Sequence, residues 1–208
     1  MHLTTWLAFV ATAAIVVVIP GPTILTVIGY SLTHGRRAQL ALVAAVALGD
    51  CTSLTFSMLG LGALLAVSAF WFTVVKVAGG LYLLYLAARM AWAGFAAQPM
   101  RAVETGSMHK VFGHTWLVTA LNPKAIVFFV AFLPQFVDPG QPAAPQLWIL
   151  AVSYVVLAII NASLYAWFAA VACRLLSSAR AQRRFNLSGA ALLSAAGVWA
   201  LLRKGPTS

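Results

Sequence analysis

The chain has 208 residues, 62% of them hydrophobic and only 8% charged, with a mean hydropathy of +0.95, whereas soluble domains carry about 25% charged residues. Too few polar side chains remain to cover a surface in water, so a soluble globular fold is excluded and lipid must be the main solvent. The net charge of +10 comes from 13 Lys plus Arg against 3 Asp plus Glu, and these cations sit between apolar runs rather than in a basic stripe interleaved with aromatics, which argues against nucleic acid as a partner and for the positive-inside bias of membrane proteins.

A bilayer core of about 30 Å needs about 20 helical residues, so this length allows about six spans in one transmembrane domain over 1–208 and leaves no soluble domain. The first predicted span covers residues 3–32. No basic segment precedes it and its apolar run continues past Ile19, so it reads as a retained span rather than a cleaved signal. The second covers 40–65 and holds one charge, Asp50; after a turn at Ser68 the third covers 70–92, with Lys76 near one end and Arg89 near the other. Residues 94–110 are small, polar and charged, the longest predicted loop. The fourth span, 112–133, is interrupted at Asn122-Pro123-Lys124, and a Pro- and Gln-rich loop over 134–146 follows it. The fifth covers 147–172, Arg174, Arg180, Arg183 and Arg184 form the next loop, and the sixth covers 187–202. Continuous apolarity marks helices that satisfy their own backbone in lipid; a closed barrel would need short alternating segments.

Lys and Arg fall on alternate loops: Arg36 and Arg37; Arg89, Arg101 and Lys110; then the four arginines after span five, against only Arg203 and Lys204 on the other side. The first, third and fifth loops are therefore predicted in the cytoplasm, with both termini outside.

Sliding the chain along itself brings Pro20-Gly21-Pro22-Thr23-Ile24 over Asn122-Pro123-Lys124-Ala125-Ile126, Asp50-Cys51-Thr52-Ser53-Leu54 over Asn161-Ala162-Ser163-Leu164, and Lys76-Val77-Ala78-Gly79 over Asn186-Leu187-Ser188-Gly189. Three matches in the same order predict two halves, 1–93 and 111–204, joined by the linker 94–110. Three spans per half would insert the second half upside down, and inverted halves with interrupted helices at matching places point to a transporter with its site at the breaks. Proline removes a donor and breaks the helix; Pro22 and Pro123 suit the first turn of a new half-helix. The N–H groups of residues 23–25 and 124–126 are then expected to face a bound anion. The substrate site is expected to comprise Pro20, Gly21, Pro22, Thr23, Asp50, Asn122, Pro123, Lys124 and Asn161.

Asp50 is the only acidic residue deep inside a span, where a charge costs about 2.5–3.5 kcal/mol; it is expected to bind substrate or carry a coupling proton, or else to make a neutral structural hydrogen bond. Lys124 is placed to pair with Asp50 or a substrate carboxylate, or to snorkel; Lys76 reads as snorkelling. Asn161 is expected either in the site or bonded across helices. Trp6, Trp71, Trp92, Trp116, Trp148 and Trp199 lie near span ends and read as interfacial anchors. Cys51 and Cys173 read as buried filler, and the small residues 60–66 as helix packing. His2, His34, His109 and His114 lack metal-ligand spacing. No catalytic motif and no cofactor-binding loop is present, and with Asp138 in a loop Asp50 has no second aspartate in a span, so the chain reads as a non-enzyme without cofactors. A metal or small-cation exporter and a non-transporting membrane scaffold stay open as alternatives.

Taken together, Pro20-Gly21-Pro22, Gly49-Asp50, Gly60-Leu61-Gly62-Ala63-Leu64-Leu65, Lys76-Val77-Ala78-Gly79-Gly80-Leu81-Tyr82-Leu83-Leu84-Tyr85-Leu86, Asn122-Pro123-Lys124-Ala125 and Leu133-Pro134-Gln135-Phe136 resemble the LysE/RhtB family of bacterial amino-acid exporters over nearly the whole chain. Departures stand at Ala87 and Thr115, where the family usually carries glycine. The resemblance implies a multi-pass protein of the bacterial inner membrane that exports small amino acids by proton coupling or exchange, and it leaves a homo-oligomer open. The scarcity of acidic groups favours a neutral, threonine- or homoserine-like substrate over a dibasic one. Its carboxylate is expected on the N–H groups after Pro22 and Pro123, with Asp50 facing the ammonium or carrying the proton.

Overall fold

The computed structural model describes residues 1–67, 69–93, 106–138, 140–169, 171 and 179–202, and these are helices joined by short turns. The first broken span is α1 (Leu3–Val18) followed by α2 (Pro22–His34). Its break follows from two successive X-Pro steps, since the residue before a proline is pushed out of the helical region. Ile19 lies at φ −63°, ψ 116° and Gly21 at φ −117°, ψ −168°, both extended. Gly35, at φ 62°, occupies the left-handed region that strains any L side chain and so closes α2. A 3-10 turn, Gly35–Ala38, then leads into α3 (Gln39–Val67), and α4 (Ala69–Ala93) follows.

The second broken span starts with α5 (Met108–Ala120), whose Ser107 side chain caps it by accepting from the Lys110 N–H. Asn122, held extended at φ −67°, ψ 110° before Pro123, separates α5 from α6 (Pro123–Val127). The chain continues as a π turn over Phe128–Phe132 and a 3-10 turn over Leu133–Phe136. Two long helices complete the order, α7 (Ala143–Trp167) and α8 (Ala179–Leu202). Among the described residues, Pro22–Gly60, Met108–Phe136 and Ala143–Trp167 are long and apolar enough to cross a membrane, and Leu3–Val18 and Val77–Arg89 are shorter apolar helices.

The core is aromatic where the two broken spans meet. Phe9 of α1 packs on Phe136 at 5.3 Å and on Phe128 at 5.9 Å, and Tyr154 of α7 packs on Phe129 at 4.6 Å and on Phe128 at 5.4 Å. Around it, α3 lies against α5 and α7, α1 and α2 lie against α7, α2 also meets α5, and α4 pairs with α8. Bare glycine backbone permits two of these approaches. A Cβ on Gly49 would stand 2.6 Å from the Thr119 Cβ and 3.0 Å from the Trp116 carbonyl, and one on Gly197 would stand 3.1 Å from the Gly80 carbonyl. The outward surface is apolar: Phe56, Leu59, Trp148, Val152 and Ile160 are all more than half exposed. Water would reject such a face; lipid does not.

Several sequence expectations need correction. The arginine-rich stretch before the sixth span is helical from Ala179 onward, because Arg, Gln and Ala are good helix formers whether or not lipid surrounds them. Likewise α7 starts at Ala143, inside the stretch predicted as loop, since Pro145 falls in its first turn, where no N–H is needed. Gln146 is buried there and fastens the loop, accepting from the Asp138 N–H at 2.9 Å and donating to the Asp138 carbonyl at 3.0 Å. Cys51 is exposed rather than buried, and Gly60 has no neighbour that a side chain would meet. Ser68, 94–105, Cys173, Arg174, Arg203 and Lys204 lie outside the described residues, as do the side chains of Lys76, Trp71, Trp199 and residues 61–66.

Candidate functional site at the paired helix breaks

A helix that stops inside a membrane leaves its last carbonyls without partners, and each unsatisfied polar group there costs several kcal/mol. At the end of α1 the second half of the chain supplies those partners. The Lys124 ammonium donates to the Val16 carbonyl at 2.8 Å and to the Ile19 carbonyl at 2.6 Å. Asn161 Nδ2 donates to the Val17 carbonyl at 3.0 Å and the Tyr165 hydroxyl to the Val18 carbonyl at 2.9 Å. The cation also faces the negative end of the α1 dipole. Of the alternatives open for Lys124, pairing with Asp50 is not what forms: its ammonium binds the Val16 and Ile19 carbonyls and makes no salt bridge among the described residues.

The other sides of the two breaks also meet. Asn122 Nδ2 donates to Thr23 Oγ1 at 3.0 Å, while its Oδ1 accepts from the Lys124 N–H at 3.1 Å. The expected cradle of six free N–H groups is therefore reduced. Leu25 donates to the Gly21 carbonyl and Ile126 to the Asn122 carbonyl, as the fourth residue of any helix does, and Lys124 is capped by Asn122. Those of Thr23 and Ile24, and that of Ala125, keep no partner among the described residues. Gly21 sits directly over the lysine, with a Cβ position 3.5 Å from its Nζ.

Asp50 of α3 is 4% exposed, and no group among the described residues hydrogen-bonds its carboxyl. Of the sequence-predicted site residues, Thr23, Asn122, Lys124 and Asn161 are joined directly through the breaks, with Pro20, Gly21, Pro22 and Pro123 shaping them and Asp50 buried nearby on α3. Tyr165 was missed. Its spacing of four from Asn161 puts both on one face of α7 and was the available signal. Trp6 and Trp116 are not simple anchors: the Trp6 indole donates to Ser153 Oγ at 3.0 Å and the Trp116 indole to Thr52 Oγ1 at 3.2 Å, joining α1 to α7 and α5 to α3. Trp92 and Trp148 stay exposed.

Helices α2 and α5 run antiparallel from the breaks to a polar mouth. There the Tyr30 hydroxyl meets His114 Nδ1 at 3.3 Å, and His34 Nε2 lies 3.0 Å from the Gly106 carbonyl. A separate apolar groove of about 570 Å³ between α3 and α7, lined by Cys51, Thr55, Leu59, Trp148 and Val152 among others, opens outward and is no part of the breaks.

Helices broken face to face around buried charged groups, in a chain whose outer surface suits lipid, place this protein among membrane translocators. The family described as LysE type translocator matches residues 14–204, and the chain belongs to that family. It is 32% identical over 189 residues to an uncharacterized membrane protein of Vibrio cholerae, covering 89% of this chain and 91% of that one. A homoserine/homoserine lactone efflux protein of Salmonella typhimurium is 31% identical over 164 residues, 79% of this chain and 80% of its own length. A leucine efflux protein of Salmonella choleraesuis is 30% identical over 131 residues, 62% of each chain. No solved structure matches. The protein is a multi-pass inner-membrane member of a translocator family that includes relatives named for homoserine/homoserine lactone efflux and for leucine efflux.

Proposed function

We infer that the chain exports small neutral amino acids, homoserine- or threonine-like, by proton coupling or exchange, through six spans arranged as inverted halves over 1–93 and 111–204 with 94–110 as their linker. Helix pairing supports two related halves. Exchanging the halves turns the packing of α3 on α5 into that of α7 on α1 and α2, and leaves α4 on α8 and α3 on α7 paired as they were. The observation that carries the functional reading is the buried, unpartnered Asp50 carboxyl beside two breaks that hold each other through Asn122 and Thr23. An amino-acid zwitterion has the complementary charges: its ammonium faces Asp50, and its carboxylate faces Lys124 and the N–H groups of Thr23, Ile24 and Ala125. Asp50 holds the ammonium or a proton in turn, which links export of one to import of the other. A dibasic substrate would bring a second cation to a site with one carboxylate.

A competition panel in proteoliposomes tests this reading. Unlabelled threonine and homoserine are expected to block uptake of labelled homoserine, with arginine and lysine having little effect. Competition by arginine and lysine alone would contradict the neutral-substrate reading, and competition by divalent cations alone would contradict amino-acid export.

A further inference from the structure

Hydroxyl side chains in membrane helices ordinarily return their proton to the carbonyl one turn back. Thr12, Thr26, Thr52, Thr55, Thr119 and Ser153 all do so here, at 2.7–2.8 Å. Three buried hydroxyls, those of Ser31, Ser53 and Thr115, do not. Of these only Ser53 is on α3 with Asp50; it is 3% exposed, and its Oγ has no partner among the described residues, although the Gly49 carbonyl stands one turn back. Ser53 lies three positions after Asp50, so the two lie on the same inward face of α3, opposite Cys51 and Thr55 in the outward groove. One turn beyond, Ser57 is also buried. The inward face is apolar at Leu42 and Val46 and becomes polar only from Asp50 onward, over about 10 Å of helix at about 1.5 Å per residue. An unpaired hydroxyl buried one turn from an unpaired carboxyl is costly unless another state supplies a partner.

We propose that Ser53 is a specificity residue: it pairs with a hydroxyl on the substrate side chain when the substrate's ammonium faces Asp50, so the site selects hydroxylated amino acids over aliphatic ones of the same size. This deepens the proposed function and rests on Asp50 marking the site. With an apolar side chain in place the Ser53 hydroxyl stays unpaired, and a site built to bond a substrate hydroxyl rejects the analogue that lacks it far more strongly than an apolar pocket rejects a missing methylene.

The test uses homoserine and its isostere norvaline, which carries a methyl in place of the hydroxyl, in parallel counterflow assays on the reconstituted full chain. The wild type is expected to prefer homoserine, and Ser53→Ala to reduce that preference about 10-fold. Thr55→Val removes a hydroxyl already bonded to the Cys51 carbonyl on the outward face, so its preference is expected to match the wild type. An unaltered preference in Ser53→Ala, an equal shift in Thr55→Val, or no preference in the wild type overturns the assignment. Transport of neither compound, or full pH-driven transport in Asp50→Asn, overturns the site reading beneath it instead.

Discussion

Lys124→Met is expected to abolish transport and to destabilise the purified protein by about 2–6 kcal/mol, because a buried acceptor left unpaired costs about 1–3 kcal/mol and two carbonyls, those of Val16 and Ile19, lose their donor together. Methionine keeps the length and the apolar stem, so lost packing contributes little. The C-terminal end of α1 also loses the cation that compensates its dipole. Neighbouring caps cannot substitute, since Asn161 and Tyr165 are committed to the Val17 and Val18 carbonyls. Thermal unfolding in detergent should show a midpoint lower by about 10 °C, and counterflow should fall to the rate of protein-free vesicles. An unchanged midpoint would show that the ammonium does not hold the two breaks together.

Asp50→Asn separates substrate exchange from proton coupling. The substitution preserves shape and a hydrogen-bonding amide but removes the Asp50 carboxyl's titration, so homoserine efflux driven by a pH gradient is expected to fail while exchange of homoserine for homoserine partly survives. Dye-reported proton movement during efflux in proteoliposomes measures the first, and labelled-homoserine exchange without a gradient measures the second. Unchanged rate and pH dependence would return Asp50 to a structural role.

The helix breaks were legible in the sequence because their cause is local: the steric effect of proline on Ile19, Gly21 and Asn122 needs no knowledge of the rest of the chain. The apolar helices over Met108–Phe136 and Ala143–Trp167 were legible for a related reason, since lipid demands continuous apolar helix. The destination of the Lys124 side chain was not. An ammonium near a carboxylate reads as an ion pair until the position of the α1 carbonyls is known, and that position depends on which helices pack together. Trp6 and Trp116 were misread likewise, because a tryptophan near a span end looks the same whether it anchors in the headgroups or donates to Ser153 or Thr52 on another helix. The helical start of α8 at Ala179 escaped because charge marks the edge of the membrane, not the end of a helix.

The central claim is that the substrate occupies the paired breaks, and Gly21 offers a direct probe of it. A Cβ at this position would stand 3.5 Å from the Lys124 Nζ, an ordinary contact distance, so the first atom of a Gly21→Cys side chain is accommodated beside the lysine. With Cys51 and Cys173 replaced by alanine, maleimide labelling of that single thiol in reconstituted protein is expected to slow several-fold in saturating homoserine and to stay unchanged in arginine. Equal labelling rates with and without homoserine, in a variant that still transports it, would place the substrate elsewhere and contradict the account.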